Sequence, residues 1–528
     1  MCGIFVYTGD SSKLTDFKKQ LEKLMHRGPD SLKIHNNHKG IIAFHRLRIM
    51  DLSPDGDQPF IDTPSGNMVV CNGEIYNYKE LKAKTTYQYA SESDCEVLLP
   101  LYQQYGLMET AKMLDAEYAF VLWDAKMKKF VAARDPIGIR PLFYGYSYFE
   151  DKMIFASEAK AIAEYCTKVF PFPPGHVYDG EKFVSYLDIA ETNTFHKHDE
   201  SEVCTQIHDK LVKAVQKRMV SDAPFGFLLS GGLDSSLVCA IGQQYSKRPI
   251  KTFAVGMDTD AIDLTYARDV AEHIGSDHTD VIITKEMVKD ALYDVIYHLE
   301  SYDITTIRAS IGMFLVCKYI HEHTDIKVLL TGEVSDELFG YKYTDFAPDA
   351  SEFQKEAVKR IRELYMYDVL RADRCISAHA LEARVPFSDT DFVQYIMAIN
   401  PEMKMNKSGT GKYLLRKAFD FDNYLPHHIL YREKAAFSDA VGHSLADSLK
   451  DLAEILFSDK DLKNAQTKFT KTPPVSKESL MYREIFEELY PNMAHLITDF
   501  WMPNKNWQNC NVTDPSARLL PNYGKSGI

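Results

Sequence analysis

A cysteine occupies the second position of the chain, and removal of Met1 would give this residue both a thiol and a free α-amine. A thiol with a pKa near about 8.5 beside an amine with a pKa near about 7.7–8.0 is suited to proton transfer at neutral pH. Such a pair is the N-terminal-amine form of an activated nucleophile. Cys2 is therefore a candidate catalytic nucleophile, although a cysteine at this position alone more often has no catalytic role.

Polar residues that could assist this nucleophile follow within the next hundred positions. In MVVCNGEIYN, residues 68–71 predict a buried strand that Asn72 and Gly73 end. The side-chain amide and the backbone N–H of this pair could form an oxyanion hole, and a plain turn is the alternative. Arg46 could bind a carboxylate through two hydrogen bonds, and Asp94 could receive an α-ammonium group. Taken singly, charged residues of this kind are more often surface ion pairs.

The segments CGI, HRGPD, RL-R-I, NGE and RD-IG--PL resemble a class II glutamine amidotransferase domain of the N-terminal-nucleophile kind. The resemblance implies an Ntn-hydrolase fold, an αββα sandwich, over residues 2–190. It implies that Cys2 attacks the side-chain amide of L-glutamine, that Asn72 and Gly73 stabilise the oxyanion, and that ammonia is the useful product. The residues implied to hold L-glutamine are Arg46, Leu47, Ile49, Asn72, Gly73, Glu74 and Asp94.

The second half carries a different signature, GFLLSGGLDSSLVCAIG at residues 226–242, in which an apolar strand runs into two glycines and then a helix. Glycine backbone N–H groups, a helix N-terminus and serine hydroxyls favour phosphate binding. The run SGGLDSS resembles the pyrophosphate-binding loop of the ATP pyrophosphatase superfamily. A second run, SGTGK at residues 408–412, lacks features of a Walker loop and is interpreted as a loop before a helix at residues 413–419.

Strands and helices alternate through the second half. Strands are predicted at residues 252–257 and 280–284, helices at 286–302 and 309–320, and a strand, turn and helix at 327–340. This alternation predicts a doubly wound, mostly parallel α/β domain with flanking helices and with its ligand at the carboxyl ends of the strands. The loops at residues 230–236 and 331–336 would then face one nucleotide. The tail from residue 499 is rich in Pro, Asn and Gly and predicts an irregular strap or partial disorder.

Three carboxylates, Glu333, Asp336 and Glu337, stand close together in the second of these loops. Acidic groups near a triphosphate repel it unless a cation intervenes, and Mg²⁺ prefers oxygen ligands while keeping several waters. Asp234 and Asp336 are therefore candidate Mg²⁺ ligands, directly or through water. Capping of the following helix is the alternative role, and both roles can hold together.

Together with ESYDITTIRAS, HALEARVPFSD and YREKAAFSDAVG, these motifs make the whole chain resemble the glutamine-hydrolysing asparagine synthetase family, with an ATP pyrophosphatase-type domain at residues 203–528. The resemblance implies that L-aspartate and ATP form β-aspartyl-AMP and pyrophosphate with Mg²⁺ as cofactor. It also implies that ammonia crosses an internal tunnel to give L-asparagine and AMP. Glu333 falls where the family has a glutamate needed for this intermediate, and it could act as the base for the ammonia attack. The residues implied to bind ATP are Leu229, Ser230, Gly231, Gly232, Asp234, Ser235, Ser236, Val255, Thr331, Gly332 and Lys434, and those implied in the substrate or phosphate region are Thr305, Thr306 and Arg308.

Two places depart from the family's pattern. Val334 stands where the family has a glycine, and a β-branched residue does not easily adopt a positive φ. Ala116 and Glu117 stand where a glycine and an apolar residue are usual. Three other interpretations stay open: an amidotransferase acting on a sugar phosphate, a relative that closes a β-lactam ring or thiolates RNA, and an inactive homologue with a binding or structural role.

Composition restricts the class of protein. A chain of 528 residues exceeds what one core normally supports, so two domains are expected. A net charge of −14 without a basic patch argues against a nucleic-acid partner. The nine cysteines form no Cys-x-x-Cys pair, which indicates neither a disulfide framework nor a zinc site and favours a reducing, cytoplasmic location. The N-terminal segment predicts neither a signal peptide nor a membrane span, and the resemblance implies a homodimer.

Overall fold

The computed structural model describes residues 1–524 except 38–39, 260, 408 and 434–440. Lys434, one of the predicted ATP contacts, lies outside the described residues. Two six-stranded antiparallel sheets come first along the chain, and one five-stranded parallel sheet follows. We call these parts the N-terminal sandwich and the C-terminal α/β unit, and we call the contact between them the seam.

Within the described residues, the N-terminal sandwich contains twelve strands and three α-helices. The strands are β1 Gly3–Tyr7, β2 Ser31–Asn37, β3 Gly40–Arg46, β4 Phe60–Asp62, β5 Asn67–Ile75, β6 Ala116–Asp124, β7 Lys129–Arg134, β8 Phe143–Ser147, β9 Met153–Ala156, β10 Cys166–Pro171, β11 His176–Tyr178 and β12 Phe183–Ser185. The helices are α1 Lys18–Glu22, α2 Tyr78–Lys82 and α3 Leu98–Met113. The strand orders are β10-β8-β9-β1-β3-β2 and β12-β11-β7-β6-β5-β4.

The two sheets pack face to face because alternate residues of their central strands are apolar on the shared face. Val6 of β1 belongs to the same buried cluster as Val70 of β5 and Val121 of β6. On the outer face of the first sheet, alternate residues of β1 pack with α1, and on the outer face of the second sheet β5 packs with α3. This order of layers confirms the predicted αββα sandwich.

Strand β5 extends further than the sequence predicts. The prediction that Asn72 and Gly73 end the strand is wrong, because they pair with Ala119 and Tyr118 of β6 and the strand continues to Ile75. A Cβ atom at Gly73 would lie 2.5 Å from the carbonyl oxygen of the next strand. Only glycine fits this close approach, and both residues are held in a rigid ladder and not in a turn.

The C-terminal α/β unit is built on one parallel sheet. Its strands are β13 Phe225–Leu228, β14 Lys251–Met257, β15 Asp277–Ile283, β16 Val328–Leu330 and β17 Glu382–Arg384. Their order is β15-β14-β13-β16-β17, and every neighbouring pair is parallel. The direction of winding therefore reverses between β13 and β16, which is the point at which α/β sheets bind ligands. The predicted doubly wound domain is confirmed.

Helices flank this sheet on both faces. They are α4 Glu200–Arg218, α5 Leu233–Gln244, α6 Ile262–Ile274, α7 Lys285–Leu299, α8 Ile304–His323, α9 Ser335–Phe339, α10 Ala350–Glu363, α11 Asp368–Ser377, α12 Thr390–Met397, α13 Pro401–Lys404, α14 Tyr413–Ala418, α15 His427–Leu430, α16 His443–Leu456, α17 Asp459–Lys468 and α18 Lys477–Leu489. Helix α8 begins five residues before the predicted start, because Asp303 caps it by accepting a 2.8 Å hydrogen bond from the N–H of Thr306.

The C-terminal tail packs as an irregular strap over residues 499–524. Trp507, Cys510 and Leu520 are buried, and the N–H of Trp501 donates to Asp303 at 2.7 Å. No helix in the described ranges is long and apolar enough to cross a bilayer. The division into domains at residues 2–190 and 203–528 stays a prediction.

Candidate active sites

Cys2 lies directly before β1 and contacts Asn72 in β5. The backbone N–H of Cys2 donates to Oδ1 of Asn72 at 2.9 Å, and the Sγ atom lies 3.8 Å from the carbonyl oxygen of Leu47. The Nδ2 atom of Asn72 is buried and has no hydrogen-bond partner among the described residues. The structure therefore brings a thiol together with an amide N–H donor that is available to a ligand. Burial raises the pKa of the Cys2 thiol.

Met1 links this site to the seam. Its α-amine lies 3.5 Å from the carbonyl oxygen of Leu381 and 3.9 Å from the carboxylate of Glu382. Its Sδ atom accepts from Arg140 at 2.9 Å, and burial lowers the pKa of the amine to about 6. Leu381 and Glu382 belong to the C-terminal α/β unit, so the candidate nucleophile is one residue from the seam.

Arg46 binds the loop that follows β3. Its NH1 group donates to the carbonyl of Ser53 and to the carboxylate of Asp57, both at 2.8 Å. Its NH2 group donates to the carbonyls of residues 50 and 51, and the nearby Leu47 and Ile49 are buried. The N–H groups of Arg46 that are predicted to bind a carboxylate thus already donate to protein oxygens. Arg46 can bind glutamine only if this loop moves away from it.

Glu74 and Asp94 flank the end of β5. Glu74 pairs with Arg384 across the seam at 2.9 Å, and Asp94 accepts from the N–H of Ile75 at 2.7 Å. Burial raises the pKa of both carboxyl groups. The structure brings both residues close to Gly73. It also pairs Glu74 with Arg384 across the seam, a role that no local sequence pattern indicates.

The two predicted phosphate loops touch each other. The first joins β13 to α5, the second joins β16 to α9, and a Cβ atom at Gly332 would lie 2.9 Å from the backbone nitrogen of Ser235. Gly231 has a φ of +69° and its Cβ position lies 2.6 Å from the nitrogen of Ala267, so glycine is required there. Ser230 and Ser235 share a 2.9 Å hydrogen bond between their hydroxyls.

Most of the predicted ATP and substrate residues line one cleft. Those in its lining are Leu229, Ser230, Gly232, Asp234, Ser235, Val255, Thr305, Arg308, Thr331, Gly332, Glu333 and Asp336. Gly231, Ser236 and Thr306 are not part of this lining; the side chain of Thr306 bonds to the capping residue Asp303 instead.

Several polar atoms of the predicted site have no partner within the described ranges. They are the hydroxyls of Ser236, Thr305 and Thr331 and the Oε2 atom of Glu333, and all of them are buried. Folded proteins satisfy nearly all buried polar groups. Thr305, Thr331 and Glu333 line the cleft, where a polar ligand could satisfy these atoms.

Arg308 is already paired with two carboxylates. Its Nε donates to Glu478 at 2.8 Å, and NH1 and NH2 donate to Asp514 at 2.9 and 2.8 Å. Asp514 belongs to the C-terminal tail, and the next residues, 515–517, line the same cleft. The geometry therefore does not favour direct neutralisation of phosphate by Arg308. The sequence does not predict the tail as part of the site, because Asp514 meets Arg308 from 206 positions away.

Lys412 lines the cleft, although the sequence predicts residues 408–412 only as a loop. Its Nζ is 2.7 Å from Asp234, 2.6 Å from Asp336 and 3.0 Å from the hydroxyl of Ser335. The helix predicted after it is present as α14. Nothing local marks this lysine, because its partners are far away in sequence.

The acidic residues also bear on the predicted Mg²⁺ site. Carboxylate and hydroxyl oxygens from Asp234, Asp336 and Ser335 are ligands of the kind that Mg²⁺ takes. In this structure the ammonium of Lys412 supplies the positive charge between them. Among the residues described here, no group of three His, Cys, Asp or Glu could hold a metal alone. The residues fit a largely hydrated ion that shares its shell with phosphate.

Substitution of Lys412 tests whether its ammonium group stabilises the folded protein by pairing with Asp234 and Asp336. Lys412→Met removes a buried cation from beside the buried carboxylate of Asp234 and the half-buried carboxylate of Asp336, so we expect a loss of about 3 kcal/mol in the free energy of unfolding. Added Mg²⁺ should restore part of this loss, and its stabilising effect should be larger in the variant than in the unchanged protein. Denaturant unfolding with and without Mg²⁺ measures both quantities.

Lys407→Met is the matched control, because Lys407 pairs with Glu402 at an exposed position in the same region. Exposed pairs contribute about 0–1 kcal/mol, so this variant should unfold like the unchanged protein and show no additional effect of Mg²⁺. Equal responses to Mg²⁺ in the two variants would contradict the role assigned to Lys412.

Val334 adopts the conformation that its side chain disfavours. Its φ is +80° at the start of α9 and its side chain is buried. The left-handed region costs about 1–2 kcal/mol for a residue with a Cβ, and full burial of a valine side chain contributes about 1.5–3 kcal/mol in the opposite direction. The loop thus keeps the backbone path for which glycine is suited, and packing stabilises it.

Sequence comparisons agree with this division of sites. The glutamine amidotransferase domain model matches residues 1–219, and the asparagine synthase model matches residues 206–351 and 344–517. A probable glutamine-hydrolysing asparagine synthetase of Acanthamoeba polyphaga mimivirus is 41% identical over 99% of this chain and its own full length. The glutamine-hydrolysing asparagine synthetases of Zea mays and Homo sapiens are each 39% identical, over 99% and 100% of this chain and 94% and 100% of their own lengths.

These matches run through both halves of the chain, which sets aside a sugar-phosphate amidotransferase, a β-lactam-forming relative and an RNA-thiolating relative. The cysteine site of the N-terminal sandwich and the two-loop cleft of the C-terminal α/β unit lie in the regions that the two family models match. The chain belongs to the glutamine-hydrolysing asparagine synthetase family of ligases.

Proposed function

We propose that the protein converts L-aspartate to L-asparagine through a β-aspartyl-AMP intermediate, with ammonia that it releases from L-glutamine and passes along an internal route. The products are L-glutamate, AMP and pyrophosphate. The observation that carries the proposal is the position of Cys2, one residue from the seam and bonded to Asn72, in a chain whose other half holds two touching phosphate loops.

The first step is attack of the Cys2 thiolate on the side-chain carbonyl carbon of L-glutamine. After removal of Met1 the α-amine of Cys2 takes the thiol proton and later passes it to the departing ammonia. Asn72 already uses Oδ1 to accept from Cys2, so its Nδ2 can donate to the oxyanion, together with the N–H of Gly73. Water then hydrolyses the thioester and releases L-glutamate.

Ammonia released at Cys2 starts close to the seam. The residue before Cys2 contacts Leu381 and Glu382, which belong to the other half of the chain. Strand β17 continues from there to Arg384, whose carbonyl accepts from the N–H of Thr331 at 3.0 Å. A route along this strand leads to the loop that carries Glu333.

At the cleft, a side-chain carboxylate oxygen of L-aspartate attacks the α-phosphorus of ATP and pyrophosphate leaves. The N–H groups of the first loop and the N-terminus of α5 stabilise the negative charge on the phosphates. Asp234 and Asp336 would hold Mg²⁺, which when bound supplies further positive charge to the triphosphate. Lys412 lies beside both carboxylates and is a further cation at this position.

Ammonia finally attacks the activated carbonyl carbon and AMP leaves with the bonding electrons. Glu333 is our candidate for the base that takes the proton from the new ammonium group, since its Oε2 is buried in the cleft without a partner in the described part of the chain.

The test is a product balance. Protein whose N-terminus is shown by mass spectrometry to be Cys2 is given ATP, Mg²⁺, L-aspartate and either L-glutamine or ammonium. We expect equal amounts of L-asparagine, AMP and pyrophosphate with both nitrogen sources, and L-glutamate only with L-glutamine. Absence of L-asparagine with either source would refute the proposal and favour an inactive homologue.

We further propose a cytoplasmic homodimer. All nine cysteines are free thiols, as expected in a reducing compartment, and eight of them are buried. The homodimer rests on the family resemblance alone, and sedimentation equilibrium of the purified protein tests it.

A further inference from the structure

Glu117 is a buried carboxylate at a position where the family usually has an apolar residue. It lies in β6 opposite Glu74 of β5, and 1% of its surface is exposed. Burial of an isolated carboxylate is strongly unfavourable, so such a group is expected to be paired. The contacts of Glu117 therefore show which parts of the molecule it holds together.

Those contacts cross the seam. Oε1 of Glu117 accepts from Nε of Arg218 at 2.8 Å and from the N–H of Val385 at 3.1 Å. Oε2 lies 3.2 Å from NH2 of Arg140. Arg218 ends α4 and Val385 directly follows β17, so both belong to the C-terminal α/β unit, whereas Glu117 and Arg140 belong to the sandwich. The carboxylate of Glu117 thus accepts hydrogen bonds from the C-terminal α/β unit and forms an ion pair with Arg140 of the sandwich.

Glu117 is also close to each candidate active site through its neighbours. Its carbonyl oxygen is the atom that leaves room only for glycine at position 73, the candidate oxyanion residue. On the other side, its partner Val385 follows Arg384, whose carbonyl accepts from the N–H of Thr331 in the nucleotide cleft. The carboxylate connects β6 with the residue that follows β17, and each of these two strands contacts one site.

Glu117 matters more for the position of Arg140 than for the position of Arg218. Arg218 also pairs with Asp389 at 3.1 Å, but the other carboxylate near Arg140, Glu382, is 3.7 Å away. NH1 of Arg140 donates to the sulfur of Met1, a residue that must leave before Cys2 can act. After that removal, Glu117 is the nearest carboxylate that fixes Arg140 beside the seam.

We propose that Glu117 is a positioning residue that couples the two active sites: by holding Arg140 and the N–H of Val385, it keeps the seam behind Cys2 aligned, so that ammonia reaches the nucleotide cleft and is not lost to water. This inference rests on the proposed function. It assigns Glu117 no contact with either substrate and no part in either chemical step.

The test compares Glu117→Gln with Asp188→Asn. Glutamine keeps the size of the side chain and an oxygen for Val385 but loses the charge that pairs with the arginines. Asp188 pairs with Arg362 across the seam at an exposed position. The measured quantities are L-glutamate formed per L-asparagine with L-glutamine as nitrogen source, and the rate of L-asparagine formation from ammonium.

We expect the ratio of L-glutamate to L-asparagine to rise about threefold or more in Glu117→Gln, the size of change seen when coupling between sites is disturbed. The rate from ammonium should be unchanged, and Asp188→Asn should alter neither quantity. An unchanged ratio in folded Glu117→Gln would overturn the inference, as would an equal rise in Asp188→Asn.

If Glu117→Gln does not fold, the ratio of L-glutamate to L-asparagine is measured in Arg140→Lys instead. Lysine keeps the positive charge but reaches less far, so the same rise in the ratio is expected, and an unchanged ratio overturns the inference. Failure of the unchanged protein to form L-asparagine would instead refute the proposed function, and the two failures are therefore distinguishable.

Discussion

Replacement of Cys2 by alanine is expected to remove L-asparagine formation from L-glutamine, with a rate loss of about 10³-fold or more, as for other enzymes that lose a covalent nucleophile. Formation from ammonium should continue unchanged, because it uses only the nucleotide cleft. The physical reason is that Cys2 is the cysteine whose N–H donates to Asn72, whereas the other eight cysteines are buried elsewhere. Separate assays with L-glutamine and with ammonium check both parts of this expectation.

Cys166→Ala is the matched control. Cys166 is a buried thiol in β10 of the same sandwich, and burial raises its pKa to about 12, so it is not a nucleophile at neutral pH. This variant should keep both activities. Substantial L-glutamine-dependent synthesis by Cys2→Ala would show that another residue releases the ammonia.

The parts of the fold that sequence reasoning predicts well are those fixed by local physics. The glycine at position 231 requires a positive φ and a close approach of α6, and it stands directly between a strand and a helix. The serines and Asp234 that follow open α5 as predicted. Short motifs of this kind carry their own geometry, so their place at the carboxyl ends of the strands follows from the pattern alone.

The parts that it misses depend on contacts distant in sequence. Lys412 meets Asp234 from 178 positions away, and Arg308 meets Asp514 from 206 positions away. The predicted end of β5 is wrong because an Asn-Gly pair favours a turn locally, whereas pairing with β6 overrides that preference. In the sequence Glu117 stands out only as a departure from the family's pattern, since nothing near it in sequence shows its partners across the seam.

Replacement of Glu333 by glutamine is expected to reduce L-asparagine formation from ammonium by about 10²–10⁴-fold, the usual contribution of a positioned acid or base. Glutamine has almost the same shape but cannot take a proton. Glu333 lies 3.7 Å from Arg371, and its Oε2 is buried in the cleft. Hydrolysis of L-glutamine without ATP should be unaffected, because Cys2 and Asn72 lie in the other half of the chain.

Glu337→Gln separates the loss of a base from disturbance of the loop. Glu337 lines the same cleft, and burial raises its pKa well above the ordinary value, so glutamine there replaces a carboxyl group whose charged form is disfavoured. We expect little change in rate. An equal loss in both variants would contradict the role of Glu333 as a base and would point to the packing of the loop.

The step that needs Glu333 can be found from the first turnover. If Glu333 acts on the ammonium formed after adenylation, Glu333→Gln should still release about one pyrophosphate per site in a rapid burst, because formation of β-aspartyl-AMP needs no proton acceptor. If Glu333 is needed to form the intermediate, both the burst and L-asparagine should be lost together. Rapid quench with labelled ATP measures the burst directly. Its presence together with failed amide formation would place the carboxylate at the second step, where the buried Oε2 meets the nitrogen.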